Sequence, residues 1–291
     1  MTILLLGAAG NLGTAFIELL SRREDITLVS WDKADVDVTD EGLLVKKISE
    51  IRPQLIINAV AYNDVDGCEH DPKAQAFAQS LNVDLVASLA RAALEVDALL
   101  VHFSSDYVFD GENPEGYDEE AEPAPQSFYA QSKRAGEKEL ISLTGKSLRW
   151  YLVRTSKLFG PKGSGPAAKP SFFEIMAGLA KKGEAVKIVS DERGSFAYTK
   201  DLAAAVMQLV EEESPYGIYH LVNSGEASWF EAANYFFEKS GLCVETIPVP
   251  ASEFPRPAPR PKHSLLLNTK RSALRSWQEA IDDYILNNPL L

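Results

Sequence analysis

The sequence predicts an α/β fold: a doubly wound, parallel sheet with helices on both faces and a smaller, interleaved C-terminal lobe. Three observations predict it. Short apolar runs alternate with helical periodicities through the first half of the chain. Those runs are apolar throughout instead of alternating, as strands buried on both faces are. The 291 residues, 45% of them hydrophobic, suffice for one large domain carrying a lobe.

Taken in order, Ile3 to Leu6 predicts a short buried strand, and Asn11 to Arg22 a helix with Leu12, Phe16, Leu19 and Leu20 on one face. Thr27 to Trp31 predicts a second strand. Gly42 to Ile51 predicts a helix that Pro53 stops, and Gln54 to Val60 the next strand. Asp71 to Glu95 predicts one long helix, Ala98 to Ser104 a strand, Ser127 to Leu143 a helix and Trp150 to Arg154 a strand. Gly160 to Pro170, rich in Gly, Pro, Lys and Ser, reads as a flexible loop. Ser171 to Lys181 then predicts a helix and Val186 to Ser190 a strand. The helix Thr199 to Glu212 and the strand Gly217 to Asn223 are expected to return to the main sheet. The expected division is therefore a dinucleotide-binding domain over 1–160 with 199–223 returning to it, and a substrate lobe over 161–198 and 224–291.

Composition excludes several classes of function. The formal net charge of −13 repels phosphate backbones, so no nucleic-acid partner is expected. No run of about 18 apolar residues occurs, so no membrane span is expected. The N-terminal run lacks a basic flank and reads as a strand, not a signal peptide. Two cysteines far apart, Cys68 and Cys243, fit a reducing cytoplasm. The four histidines show no ligand spacing, and no metal site is expected; His220 reads as a structural strand residue.

The first strand ends in Gly7-Ala8-Ala9-Gly10-Asn11-Leu12-Gly13, a G-x-x-G-x-x-G spacing between strand and helix. This is the context a Rossmann-like dinucleotide site requires. Gly7 permits the tight turn, Gly10 lets a pyrophosphate approach, and Gly13 lets the helix pack on the sheet. The helix N-terminus, at Asn11 and Leu12, presents free amides to phosphates. Asp32 follows the second strand, where a carboxylate accepts from an adenosine ribose hydroxyl and repels a 2′-phosphate. Lys33, Arg22 and Arg23 lie close by and could pair with that phosphate, so NADP and NAD both stay open. Asp37 and Val38 are expected near the adenine. Ala59, Val60 and Ala61 close the next strand beneath the pyrophosphate and ribose.

Tyr129 and Lys133, at i and i+4, share a helix face. A free tyrosine titrates near pH ~10, and a neighbouring ammonium is expected to bring it toward the working range. The same lysine can hold the nicotinamide ribose. Ser105, at a strand end, is expected to donate to a substrate carbonyl while Tyr129 protonates its oxygen.

The words Asn58 to Asp66, Asn82-Val83, Ser104-Ser105-Asp106-Tyr107-Val108-Phe109-Asp110-Gly111, Tyr129 to Lys133, Arg154-Thr155-Ser156, Asp191 to Ala203 and Arg260-Pro261 run in one order over nearly the whole chain. In them the sequence resembles the dTDP-4-dehydrorhamnose reductase family of extended short-chain dehydrogenase/reductases. The resemblance implies reduction by NADPH or NADH of the 4-keto group of a dTDP-linked 6-deoxyhexose. It implies Ser105, Tyr129 and Lys133 as catalytic residues. It puts Asp106 and Tyr107 in the sugar pocket and Arg260 beside the nucleotide phosphates. The chain departs from the family's pattern at Ser105, where Thr is usual, at Ala130, where Gly is usual, and at Phe196-Ala197, where Pro-Thr is usual. Lys157 stands where a tryptophan is expected near the sugar, and is expected to touch substrate. Two other readings stay open: a non-catalytic, cofactor-binding regulatory subunit, and a reductase or epimerase of a different sugar nucleotide. Monomer and homodimer are both open.

Overall fold

In the computed structural model, which describes residues 1–143, 145–165 and 168–288, the apolar runs become a six-stranded, wholly parallel sheet. The first half runs β1 (Thr2–Leu6), α1 (Asn11–Leu20), β2 (Thr27–Trp31), α2 (Glu41–Ile51), β3 (Leu55–Asn58), α3 (Gly67–His70), α4 (Pro72–Gln79), α5 (Leu85–Val96), β4 (Leu99–Ser105), α6 (Phe128–Ile141) and β5 (Arg149–Thr155). Then come β6 (Leu158–Phe159), α7 (Phe172–Ala180), β7 (Val186–Val189), β8 (Arg193–Gly194), β9 (Ala197–Tyr198), α8 (Thr199–Glu211) and β10 (Gly217–His220). The last long helices are α9 (Trp229–Ser240) and α10 (Trp277–Leu286).

The sheet order is β2-β1-β3-β4-β5-β10, so the order reverses between β1 and β3. Open α/β sheets bind ligands outside the carboxyl ends of their strands at such a reversal. Ile3 to Leu6 are fully buried because both faces are covered. Phe16, Leu202 and Val206 from α1 and α8 pack on one face; Leu44, Ile48 and Leu89 from α2 and α5 pack on the other. The expected α/β doubly wound fold is what forms.

Helix starts are written locally. Asp40 accepts the Leu43 amide and Ser127 the Ala130 amide, while Ser171, Ser228 and Ser276 each form a capping box with the glutamate three residues on. One expectation fails: Asp71 to Glu95 is not a regular helix. A π-helical segment, Ser80–Asp84, separates α4 from α5. Such a bulge widens one turn. Here α6 packs directly on it: a Cβ at Gly136 would lie 2.0 Å from the Asn82 carbonyl oxygen.

A second apolar core, of Phe159, Phe173, Phe196, Tyr198, Phe236, Trp277 and Tyr284, gathers the residues between β6 and α10 that the main sheet does not use.

Candidate functional site

Five strand ends stand in a row along the carboxyl edge of the sheet: Asp32 after β2, Gly7 after β1, Ala59 after β3, Ser105 ending β4 and Ser156 after β5. Four steps at about 4.8 Å make a ledge of roughly 19 Å. The order of that row separates the expected site residues. Asp32, Asp37 and Val38 lie at the β2 end, while Ser105, Tyr129, Lys133, Asp106 and Tyr107 gather at the β4 end.

Between them sits the glycine cradle. Gly7 has φ +78, and a Cβ there would meet the Ala59 carbonyl carbon at 2.8 Å and the Val60 nitrogen at 3.0 Å. A Cβ at Gly13 would lie 2.1 Å from the Gly7 oxygen. Both glycines are therefore required by the chain's own packing. Gly10 is different, since its Cβ would meet only the Gly7 oxygen at 3.3 Å. Its backbone is approached by the loop after β6, since a Cβ at Gly163 would lie 2.7 Å from the Gly10 carbonyl carbon. Gly10 is also the N-cap of α1 and bonds no amide with a side chain, so the first amides of the helix carry no side-chain cap. The cradle thus fits a dinucleotide pyrophosphate. The loop after β6, read from sequence as flexible, docks its first half here: the Gly163 amide donates to Asn11 Oδ1 (3.1 Å) and the Gly165 amide to the Ala9 oxygen (3.0 Å). That docking roofs one side of the turn; a Cβ at Gly163 would come within 2.9 Å of the Asn11 nitrogen. At the β2 end, Asp32 Oδ1 accepts the Ala34 amide (2.7 Å) and Asp37 Oδ1 accepts from Thr39. Arg23 is taken up by Asp25 and Glu211, whereas Arg22 is largely exposed.

At the β4 end the backbone turns sharply into a single 3-10 turn, Asp106–Val108, which Ser105 caps by accepting the Tyr107 amide (3.2 Å). Ser105 Oγ donates to Asp106 Oδ1 (3.0 Å), and Ser156 Oγ donates to Asp106 Oδ2 (2.6 Å). Tyr129 comes in from α6, its phenol beside the Ser105 hydroxyl and its ring packed on Cys68 and Ala78. The Tyr107 ring meets it edge-on at 5.9 Å. Lys133, one turn along, is buried and donates to the Phe103 carbonyl (2.7 Å).

Two expectations are corrected by this geometry. Ser105's one proton is committed to Asp106, so in the protein alone the hydroxyl offers a lone pair, not a donor. Lys133 does not lower the Tyr129 pKa: full burial pushes the phenol above its ordinary value, and the ammonium is aimed at a backbone oxygen. Burial also acts on Lys133 itself, lowering it to about 8 against the opposing pull of Glu137.

Arg260 closes the far side. It donates to Asp66 Oδ2 (2.7 Å) and the Ala258 oxygen (2.9 Å) and lies over the Tyr107 ring. With Tyr107, Phe109, Asp110 and Gln126 it lines a cavity of about 180 Å³. Lys157 is held apart. Its backbone has φ +34, and its Nζ lies over the rings of Phe196 (5.3 Å) and Trp229 (5.4 Å), buried and without a hydrogen-bond partner.

Sequence reasoning quoted two residues within longer words but gave neither a role. Ser156 is the second hydroxyl on Asp106; only its place after a strand end hinted at it. Asn82, fully buried in the π segment, accepts the Tyr62 amide and donates to the Tyr62 carbonyl and Ser132 Oγ, tying α6 to the loop after β3. An asparagine in the middle of an apolar helix was the available signal.

Comparison with known proteins is consistent with this geometry. The model of the RmlD substrate binding domain family matches residues 1–288. The chain is 34% identical over 287 residues to the spore coat polysaccharide biosynthesis protein SpsK of Bacillus subtilis, covering 97% of this chain and 96% of that one. It is 32% identical over 299 residues to the dTDP-4-dehydrorhamnose reductase of Escherichia coli, covering 97% and 96%. Among solved structures, the dTDP-4-dehydrorhamnose reductase of Bacillus anthracis in complex with NADP superposes with a TM-score of 0.91 at 34% identity, over 98% of this chain and 99% of that one.

Proposed function

The chain belongs to the dTDP-4-dehydrorhamnose reductase family, and from that premise we propose that it reduces the 4-keto group of a nucleotide-linked 6-deoxyhexose, dTDP-4-dehydro-L-rhamnose first, to the alcohol. The observation that carries the reading is the convergence of Tyr129, Ser105 and Lys133 at the carboxyl end of β4, two strands from the glycine cradle.

The assigned roles follow the ledge. Gly7, Gly10, Asn11, Leu12 and Gly13 hold a pyrophosphate. Asp32, with one oxygen on the Ala34 amide, keeps the rest of its carboxylate for a ribose hydroxyl, with Asp37 and Val38 beside the adenine. Ala59 to Ala61 run under the middle of the dinucleotide, and Lys133 reaches toward its nicotinamide ribose. NADPH or NADH, when bound, would supply the hydride and leave as the oxidised cofactor. The chain supplies the proton: Tyr129 gives its phenolic hydrogen to the carbonyl oxygen as the C–O bond loses its π electrons. A phenol raised by burial is still neutral and loaded at every working pH, and an alkoxide is a stronger base than a phenolate, so the transfer runs downhill. Tyr107 and Arg260 bound the side from which the sugar nucleotide enters.

The test is direct. The purified protein, given NADPH or NADH and a panel of nucleotide-linked 4-keto-6-deoxyhexoses, is expected to oxidise the cofactor with dTDP-4-dehydro-L-rhamnose in the panel. Cofactor binding with no turnover on any member would overturn the reading. The pH profile carries a second expectation. Lys133 keeps its ammonium below about 8 and loses it above, so kcat/KM should fall on the alkaline side from that point. A Lys133→Arg variant should carry that limb upward if Lys133 is its source.

Monomer and homodimer both remain compatible with this reading, and a cytoplasmic location belongs to it. No described helix is long and apolar enough to cross a membrane.

A further inference from the structure

Asp106 is a buried carboxylate whose oxygens accept hydroxyl protons from Ser105 and Ser156, with the Ser264 hydroxyl beside them. A carboxylate only accepts, whereas a carboxylic acid can donate. While Asp106 is ionised, Ser105 must point its proton at it, and a Ser105 lone pair takes the Tyr107 amide beside the Tyr129 phenol. If Asp106 took up a proton it could donate to Ser105, and the direction of the whole row would reverse. Burial alone drives a carboxyl toward the neutral form. Something has to hold the charge.

The cation that acts on Asp106, through space and without a direct hydrogen bond, is Lys157, the residue immediately after the Ser156 that bonds it. Its ammonium is enclosed by protein: the Phe196 and Trp229 rings stand on it, and a Cβ at Gly194 would be 2.6 Å from Nζ. Its other charged neighbours are Glu192, Glu226 and Arg193. Glu192 pairs with Arg256, whereas Arg193 is shared by Glu226 and Glu231, so that group keeps one net negative charge that also favours the Lys157 ammonium. Asp106 is also faced by Ser264, Tyr107 and Tyr129, none of them a cation. A left-handed backbone at a non-glycine residue is the kind of strain that functional sites retain.

We propose that Lys157 is a positioning residue of the reduction, whose sealed ammonium keeps Asp106 ionised and thereby fixes the direction of the Ser105 hydroxyl that lies beside the Tyr129 phenol. The role rests on the ketoreductase reading above, but goes beyond it. Lys157 acts through Asp106 and not on the sugar, although its place in the sequence suggested a substrate contact.

The experiment compares Lys157→Met, Lys157→Arg, Asp106→Asn and the double variant Lys157→Met with Asp106→Asn. Lys157→Met is expected to lower kcat about tenfold, leave KM within about twofold, and move the acid limb of kcat up by about one pH unit. Lys157→Arg should restore most of the loss. The double variant should be no slower than Asp106→Asn alone, because the cation then has no charge to hold. A rise in KM with an unmoved limb would make Lys157 a substrate ligand; unchanged kinetics would make it packing. Both overturn the proposal. Carbon-13 NMR of the Asp106 carboxyl gives a readout without turnover: its titration should move to higher pH in Lys157→Met, and an unmoved titration refutes the role. If the wild-type protein turns over no keto sugar, the ketoreductase reading falls, and this titration alone decides on Lys157. Lys157→Arg and Asp106→Asn keep the comparison open should the methionine variant not fold.

Discussion

Replacing Tyr129 by Phe is expected to lower kcat by about 10³-fold while changing the affinity for NADPH by no more than about twofold. The asymmetry follows from what the substitution removes. The ring stays, with its packing on Cys68 and Ala78 and its edge-on contact with Tyr107, so α6 and the cradle keep their places. Only the hydroxyl goes, and with it the one proton that the site aims at a carbonyl oxygen. Neighbouring groups cannot replace it. The Ser105 proton is engaged by Asp106, and the Lys133 ammonium is engaged by the Phe103 carbonyl. Steady-state kinetics with the active keto sugar, beside fluorescence titration of NADPH, checks both halves. Turnover within tenfold of wild type would remove Tyr129 from the mechanism.

The second large effect lies behind the site. Glu137, on α6, and Arg154, on β5, form a two-pronged pair at 2.9 Å and 2.9 Å, with side chains 0% and 1% exposed. Arg134 adds a third bond to the same carboxylate (2.9 Å), and the Arg154 guanidinium lies over the Phe109 ring. Removing one partner leaves the other charge buried and unpaired, which costs about 3–5 kcal/mol. Glu137→Ala is therefore expected to lower the melting temperature by roughly 6–20 °C. Thermal and denaturant unfolding of the two proteins measure it; a loss below about 1 kcal/mol would show that the pair is not the strut it looks like. The pH dependence has a definite sign. The arginine bonds hold Glu137 below the ordinary glutamate value against its burial, so its contribution is present above that value and is lost as pH falls through the lowered one. The wild type should lose stability toward acid faster than Glu137→Ala does. Because Glu137 also supports the charge on Lys133 one turn away, the variant's alkaline limb should begin earlier as well.

Much of the catalytic arrangement was legible in the chain. Tyr129 and Lys133 had to share a face because a helix brings i and i+4 together, and Ser127 marked where that helix begins. Gly7 and Gly13 were legible because the close approach that each permits is local to one turn and one helix. What was not legible depended on partners far away in sequence. The break in the helix over Asp71 to Glu95 comes from α6 pressing on Asn82 through Gly136, a contact no periodicity reveals. The docking of Gly163 and Gly165 on Ala9 to Asn11 joins residues about 150 apart, so composition alone read that stretch as a free loop.

By itself the sequence determined the parallel sheet, the glycine turn at its first strand end and the order of serine, tyrosine and lysine, since each is set by short-range periodicity or spacing. The tertiary structure alone decided the state of the site: that the phenol is raised by burial instead of lowered by Lys133, that Ser105 spends its proton on Asp106, and that Lys157 is sealed among Phe196, Trp229 and Gly194. The physical reason is that residue spacing tells which groups share a face, whereas the energy of a charge or a proton depends on every group packed around it, and most of those arrive from distant parts of the chain.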